Sequence, residues 1–372
     1  MDKSFRILNL LISVFIQKHL SENEKTVFEF MLSKNPDLES AKKLFENFDI
    51  SSASDNKILL FSNFVKTHPK LGLDKFLPAK TSELKEFYMR RRLELFVHLD
   101  KVAGEFNAQG VRPMLVKGAL MSFLNPDLLR TMGDVDIIVP ADKFDYSKEI
   151  AQKLNYEYAK EPHSFDFHEK GSEKGVVDVH KYIYMDTKCE MNLNQSLWQR
   201  AKEITFLDRE FCIPCDEDII FISLVNLARN LRNNTSFSNI LYSFFDCKHI
   251  LENASDFNWD TVLENAAVTK TLPQLYFSLY FIRNLMPEIF PEKLFDIKEK
   301  ERKQLKEYCL KVYFNRIFID GMRQQNKSIN WTDAVTGKVE LKDYLKLKSK
   351  YFLMKRVVNY PSVIEKIIGG NI

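Results

Sequence analysis

Two aspartates that stand two residues apart in an apolar stretch are the residues of this sequence most suited to chemistry. Asp134 and Asp136 alternate with Val135 and Ile137, and successive side chains of a strand point to opposite faces. A strand here would place both carboxylates on one face. Two like charges held close together cost free energy unless a cation neutralises them, so the pair is a candidate metal site. The alternative is a solvent-facing strand that carries alternating acids.

A second segment, Val177–His180, repeats the alternation, with Asp178 and His180 on one face. If the two strands are neighbours, Asp178 joins the first two acids. Three carboxylates on adjacent strands suit two divalent cations that bridge phosphate oxygens, activate a hydroxyl and stabilise leaving pyrophosphate. The pattern therefore favours phosphoryl or nucleotidyl transfer. His180 is either a partner of the acids, or a base for the acceptor hydroxyl, or an incidental strand-end histidine.

Strand patterns occur at four places between residues 110 and 180, with helical segments between them. These are residues 112–117, 134–139, 164–169 and 176–180. Gly118 turns the chain after the first, and Asp142 can cap a helix after the second. The expected fold class is α+β, with a small mixed sheet.

Helical periodicity dominates on both sides of this sheet. A helix from Ser82 toward Gln109 carries an apolar stripe, and Gly110 ends it. The members of the stripe are Leu95, Leu99, Val102 and Phe106. We expect a helical N-terminal region at 1–81, an α/β core at 82–215, and a helical C-terminal domain with a basic tail at 216–372.

The order of these elements resembles the DNA polymerase beta-type nucleotidyltransferase superfamily, and in particular its bacterial branch of uncharacterised nucleotidyltransferases. The matching segments are Leu115–Gly118, Arg130, Gly133–Val139 and Val177–His180, and Phe244–Asp246 is similar to a downstream element. The resemblance implies a nucleotidyltransferase core that moves an NMP from an NTP to a hydroxyl acceptor and releases pyrophosphate. It also implies that two Mg²⁺ or Mn²⁺ ions are bound by the three acids, Asp134, Asp136 and Asp178.

The resemblance further implies that Lys117, Gly118 and Arg130 bind the nucleotide. The usual Gly-Ser of the superfamily is Gly118-Ala119 here, so the hydroxyl that contacts the triphosphate is missing. Lys117 could replace it as a point charge, while the glycine lets the backbone approach. Arg130 could stabilise phosphate charge. The alternatives are a lysine in solvent and an arginine that pins its own loop to Asp127 or Asp134.

Composition excludes several other classes of protein. Hydrophobic residues make up 45% and charged residues 28% of the chain, which is typical of globular proteins and excludes intrinsic disorder and a disulfide scaffold. Five cysteines and no cleavage site after the apolar start favour a cytoplasmic location. The apolar stretch at 7–16 is shorter than the ~20 residues of a spanning helix, so no membrane partner is expected. Cys212 and Cys215 lack the second pair that zinc needs and are expected to be unpaired thiols.

The expected partners are an NTP, with ATP favoured, and a hydroxyl acceptor of open identity. Residues 291–372 hold 18 Lys and Arg against 10 Asp and Glu. This basic tail could face a nucleic acid, or it could be a solvated helix face. Two alternative functions stay open. One is a binding module of the same fold that has lost its chemistry, and the other is an interaction protein whose acids only face solvent.

Overall fold

The computed structural model describes residues 12–13, 22–33, 36–37, 39, 42, 54–171, 175–183, 187–232, 237–286, 288–309 and 312. The chain divides into two compact units. The larger unit comprises Asn23–Val225 and Leu241–Leu272, and the smaller comprises Met1–Glu22, Asn226–Ile240 and Pro273–Ile372. The three segments expected from the sequence, 1–81, 82–215 and 216–372, stay a prediction of domain limits.

The described residues form helices and strands in the following order. They are α1 (Glu22–Leu32), α2 (Asp55–Thr67), α3 (Thr81–Ala108), β1 (Met114–Leu115), α4 (Lys117–Leu124), β2 (Val135–Ile138), α5 (Tyr146–Lys153), β3 (Glu157–Lys160), β4 (Ser164–His168), β5 (Gly175–His180), α6 (Thr187–Arg200), β6 (Lys202–Phe206), β7 (Arg209–Ile213), α7 (Asp216–Arg232), α8 (Phe237–Asn253), α9 (Trp259–Val268) and α10 (Leu272–Leu285). Short 3₁₀ turns follow α2 and α10.

The seven strands form one mixed sheet in the order β3-β4-β5-β2-β1-β7-β6. β2 runs parallel to β5, and β1 runs parallel to β7. The other neighbouring strands are antiparallel. The two strands that carry the predicted acids are therefore neighbours, and the mixed sheet between helices confirms the predicted α+β class.

One face of β2 and β5 is apolar and packs under α3. The valines and isoleucine that alternate with the acids, Val135, Ile137, Val177 and Val179, are fully buried. Helix α3 packs against β2, β5 and β7, and its predicted apolar stripe is fully buried as well. Because side chains alternate along a strand, the opposite face of the two strands is left for the polar residues.

The structure corrects several details of the predicted elements. Strands β3, β6 and β7 were not predicted, because their alternation is broken by charged residues at both exposed and half-buried positions. The first predicted strand is shorter than expected, and Lys117 begins α4 instead of ending β1. Asp142 does not cap the next helix, since α5 begins at Tyr146 after a series of turns.

The described part of the smaller unit contains helices and short irregular segments, and aromatic side chains pack within it. The rings of Tyr280 and Phe295 lie 4.9 Å apart, and the hydroxyl of Tyr308 donates to the carbonyl of Ala228 at 3.1 Å. Most of the predicted basic tail lies outside the described residues. Among the helices that the structure describes, none is long and apolar enough to cross a membrane.

Candidate active site

The strand register brings the predicted acids together. Asp136 on β2 lies directly opposite Asp178 on β5, and residues opposite one another on neighbouring strands point to the same face. Asp134 lies one residue before β2, with an exposed side chain. The register therefore brings Asp136 and Asp178 together on the polar face of the sheet, and Asp134 precedes this pair in the segment that leads into β2.

Two basic side chains contact Asp136. Nε2 of His180 lies 3.0 Å from Oδ1 of Asp136 and 3.0 Å from Oδ2 of Asp178. Nζ of Lys117 donates to the same Oδ1 of Asp136. The possible ligand atoms of Asp136, Asp178 and His180 all lie within 4.8 Å of one another. His180 is thus a partner of both carboxylates.

These contacts change the proton affinity of the site. Burial acts to raise the pKa of Asp136, but Lys117 and His180 outweigh it and hold that pKa far below its usual range. Burial acts to lower the pKa of His180 and of Lys117, but the carboxylates raise both above their usual values. Asp134 is exposed, but neighbouring protein displaces part of the water around its carboxylate, and this, followed by repulsion from Asp136, raises the pKa of Asp134 to about 6. The repulsion between the two carboxylates therefore appears as a raised pKa of Asp134, whereas Lys117 and His180 keep Asp136 ionised.

Strand β4 adds a fourth carboxylate, which the sequence analysis missed. Asp166 lies opposite Asp178 in the antiparallel β4–β5 pair, and Nε2 of His168 lies 3.1 Å from its Oδ2. Burial and the charge of Asp178 raise the pKa of Asp166, against the opposing effect of His168. The alternation of Ser164, Asp166 and His168 was the available signal. It could not be connected to the site without knowing that β4 pairs with β5.

We call Asp134, Asp136, Asp166 and Asp178 the acid cluster. Oδ1 of Asp178 and Oδ1 of Asp166 are buried and have no hydrogen-bond partner among the described residues. A buried unsatisfied acceptor costs about 1–3 kcal/mol. Gly175 makes room for one of them, since a Cβ there would clash with Oδ1 of Asp166. Free carboxylate oxygens are the ligands that hard divalent cations prefer, so the cluster fits the expected metal ions.

Lys117 and Gly118 are the first two residues of α4, directly after β1 and Val116. Lys117 has a φ of 51°, in the left-handed region that non-glycine residues seldom adopt, and its ammonium group points to the acids. Gly118 does not need to be glycine for the fold, since a Cβ there would meet Met132 at an ordinary 3.6 Å. Ala119, in the place of the usual serine, is fully buried. Of these residues, the structure places only Lys117 in contact with the acid cluster.

Arg130 is bound by α8. Its Nη1 lies 3.0 Å from both carboxylate oxygens of Asp246, and its guanidinium lies 4.3 Å from the ring centre of Tyr242. Asp127, one of the two partners considered from the sequence, binds Lys66 at 2.7 Å instead. The role of Arg130 in nucleotide binding stays a prediction.

Comparison with known proteins identifies the family of this chain. A family model described as uncharacterised nucleotidyltransferase matches residues 59–287, more than half of the chain. No curated protein matches the sequence significantly. One similar solved structure is an antigenic nucleotidyltransferase-like protein from Paracoccidioides brasiliensis, at 14% identity and a TM-score of 0.33, covering 50% of this chain and 92% of that chain.

A second similar structure is the antibiotic-resistance factor ANT(2'')-Ia, at 12% identity and a TM-score of 0.35, covering 49% of this chain and 92% of that chain. Structural similarity at these levels gives no information about substrates. The family match rests on the sequence itself and spans the sheet, the acid cluster and all of α10. The chain belongs to the uncharacterised nucleotidyltransferase family, within the nucleotidyltransferase superfamily.

Proposed function

We propose that this protein is a metal-dependent nucleotidyltransferase that transfers an NMP from an NTP to a hydroxyl acceptor. The observation that carries the proposal is the register of Asp136 with Asp178, together with the buried Oδ1 of Asp178, which has no hydrogen-bond partner in the described part of the chain. Membership of the family supports nucleotidyl transfer in general. The dependence on metal and the identity of both substrates are the further steps that we propose.

Asp134, Asp136 and Asp178 would hold two Mg²⁺ or Mn²⁺ ions. Bound there, the ions would neutralise phosphate charge and favour the ionised acceptor hydroxyl. The acceptor oxygen attacks the α-phosphorus, and the bond from that phosphorus to the bridging oxygen of the β-phosphate breaks. The products are the nucleotidylated acceptor, pyrophosphate and one proton. His180 bonds both Asp136 and Asp178 through one nitrogen and so fixes the distance between the two carboxylates.

Lys117 and Gly118 are the proposed contacts to the triphosphate. They open α4, whose first turn has no capping side chain among the described residues. Amide groups at the start of a helix lack intrahelical acceptors and favour anions. The ammonium group of Lys117 lies beside the acids that would hold the metal, so it can supply the charge that Ala119 cannot. ATP is the NTP that we propose to test first.

The acceptor is a hydroxyl compound whose class stays open. A sugar phosphate, a small metabolite, an RNA end and a protein side chain all present a hydroxyl. A nucleic-acid acceptor held by the basic tail at 291–372 stays a prediction, because most of that tail lies outside the described residues.

A second candidate function is a protein of the same fold that binds a nucleotide without transferring it. One observation favours it. Lys117 and His180 already neutralise Asp136, so the carboxylate has less to gain from a cation.

Titration of the protein with each NTP, with and without Mn²⁺, tests the proposal when it is combined with an assay of pyrophosphate release in the presence of lysate. Mn²⁺-dependent binding and pyrophosphate release are expected, and both should be retained in the matched variant Asp127→Asn, whose carboxylate is exposed. Binding without release favours the second candidate. Absence of both contradicts the two functions and favours an interaction protein.

A further inference from the structure

The segment at residues 125–134 connects α4 to β2 and ends with Asp134. The β2–β5 ladder begins at the pair Val135 and Val177, so its hydrogen bonds hold Asp136 but not Asp134. The position of Asp134 therefore depends on how this connecting segment is held.

Side chains of α2, α3 and α8 bind the segment along its length, and the contacts of α2 and α3 are hydrogen bonds to its backbone carbonyls. Asn63 of α2 donates to the carbonyl of Leu129 at 2.7 Å, and Arg92 of α3 donates to the carbonyl of Pro126 at 3.1 Å. Close to the acid, Arg91 donates to the carbonyl of Gly133 at 3.0 Å.

One anchor among these described contacts is a largely buried ion pair, formed by Arg130 and Asp246 of α8. Their side chains are only 13% and 9% exposed. Tyr242, one helical turn before Asp246, lies under the guanidinium and accepts a hydrogen bond from the amide of Thr131 at 3.2 Å. One face of α8 thus binds two successive residues of the segment, Arg130 and Thr131. The anchor lies three to four residues before Asp134, which is a short distance along the chain.

The same segment carries a second ion pair that serves as a comparison. Lys66 and Asp127 lie 2.7 Å apart, but their side chains are 57% and 80% exposed. Exposed pairs contribute little because water screens them, whereas a buried charge without its partner is strongly unfavourable. Loss of Asp246 should therefore move the segment, and loss of Lys66 should not.

We propose that Asp246 and Arg130 are positioning residues that set the place of Asp134 in the metal site. This inference rests on the proposed function and refines it. It assigns Asp246, 112 residues from the acid in sequence, a role in metal binding. It also gives Arg130 a role that does not involve contact with the nucleotide.

The test measures the affinity for Mn²⁺ alone by calorimetric titration of the full chain. Arg130→Gln and Asp246→Asn should each weaken Mn²⁺ binding by about 10- to 100-fold, the usual effect of losing a residue that orients a metal ligand. Arg130→Lys should restore part of the affinity. Lys66→Gln is the matched control and should bind Mn²⁺ like the wild type.

Combination with Asp134→Asn distinguishes positioning from general damage. If Asp246 acts through Asp134, the double variant Asp134→Asn with Asp246→Asn should bind Mn²⁺ no more weakly than Asp134→Asn alone. Further loss in the double variant, in proportion to a lowered thermal midpoint, would instead show a purely structural role and overturn the inference. Unchanged Mn²⁺ affinity in both single variants would overturn it as well.

The remaining outcomes separate this inference from the proposed function. If Arg130→Gln weakens ATP binding while Asp246→Asn does not, Arg130 binds the nucleotide and the inference is wrong, although the proposed function stands. If the wild type itself binds no Mn²⁺, the proposed function is wrong, and the inference is overturned with it because no metal site exists to be positioned.

Discussion

Two groups of carboxylates in the larger unit, Asp218 with its neighbours and the acid cluster, differ in the partners that surround them. Asp218 of α7 is wholly buried. It accepts two hydrogen bonds from Arg200 at 3.0 and 2.6 Å, one from the amide of Asn265 at 2.7 Å, and one from the thiol of Cys215 at 3.0 Å. Both of its oxygens therefore have partners, as is usual for a buried charge in a stable fold.

In the acid cluster, by contrast, not every carboxylate oxygen has a hydrogen-bond partner among the described residues. It places four carboxylates near Lys117 and His180, and two of its buried oxygens have no partner among the described residues. A network with all its partners stabilises the fold, whereas unsatisfied like charges cost stability unless a ligand completes them. The Asp218 group therefore has the partners of a structural network, and for the acid cluster we propose a cation as the missing partner. The following predictions test that contrast.

The largest effect is expected for Asp178→Ala. Turnover should fall by about 1,000-fold, because metal-assisted stabilisation of the transition state contributes several kcal/mol and each 1.36 kcal/mol is a factor of ten. NTP binding should stay largely intact, since in the proposed two-metal site the third acid would mainly serve the metal beside the attacking hydroxyl. The measurement is pyrophosphate release beside an NTP titration, with circular dichroism as the control for folding. Equal loss of binding and turnover would indicate a structural acid.

Asp218→Ala should show the opposite pattern. Removal of the carboxylate leaves the partly buried guanidinium of Arg200 without its counter-ion, which should lower the free energy of unfolding by about 3 kcal/mol. Denaturant unfolding measures this change, and Mn²⁺ affinity should not change. Asp178→Asn is the matched variant and should keep or gain stability, because it removes one like charge from the acid cluster. Equal destabilisation by both variants would remove the contrast between the two groups.

Lys117→Met should weaken NTP binding much more than NMP binding. A charge-assisted contact to the β- and γ-phosphates contributes about 1.5–3 kcal/mol, or about ten- to a hundredfold in affinity, and an NMP lacks both phosphates. Lys117→Arg should recover part of the loss. Titration with both nucleotides tests this. Equal losses of affinity for the NTP and the NMP would show that Lys117 binds Asp136 and does not contact the β- and γ-phosphates.

The smallest effect is expected for the pH dependence of stability at His98, which lies outside the acid cluster and has a partner at each ring nitrogen. Nδ1 of His98 lies 2.6 Å from the hydroxyl of Tyr156, and its Nε2 lies 3.3 Å from Glu169. Burial lowers the pKa of His98, although Glu169 opposes the shift. As pH falls, His98 is therefore protonated in the unfolded chain before it is protonated in the folded protein. The free energy of unfolding decreases as pH falls below about 6.5.

Replacement of His98 by Gln should reduce this acid-side loss of stability. Thermal midpoints at pH 7.5 and pH 5.5 compare the variant with the wild type, and Mn²⁺ affinity at pH 7.5 should be equal in both. If the thermal midpoints of the variant and the wild type changed equally between the two pH values, the pKa of His98 would not be lowered in the folded protein.

The sequence predicted the parts of the site that depend on local alternation. Asp134, Asp136 and Asp178 lie in short segments where an apolar residue follows each acid, and strands β2 and β5 follow directly from that pattern. The stripe of α3 that covers their apolar face was predictable for the same reason.

The parts that depend on distant pairing were not predictable. Asp166 becomes part of the cluster only because β4 pairs with β5, and Arg130 meets Asp246 across 116 residues of chain. Neither contact leaves a local periodic signal. The unusual backbone of Lys117 was also missed, because a lysine beside a glycine suggests that the glycine makes the turn.

The most direct test of the central claim is calorimetric titration of ATP in the presence of Mg²⁺ with Asp134→Asn, Asp136→Asn and the exposed control Asp127→Asn. A cation that bridges the acids and the phosphates links the two affinities. We therefore expect both site variants to bind Mg²⁺ and ATP more weakly together, while the control binds like the wild type. Unchanged affinity for ATP with Mg²⁺ in both Asp134→Asn and Asp136→Asn would contradict the proposed site.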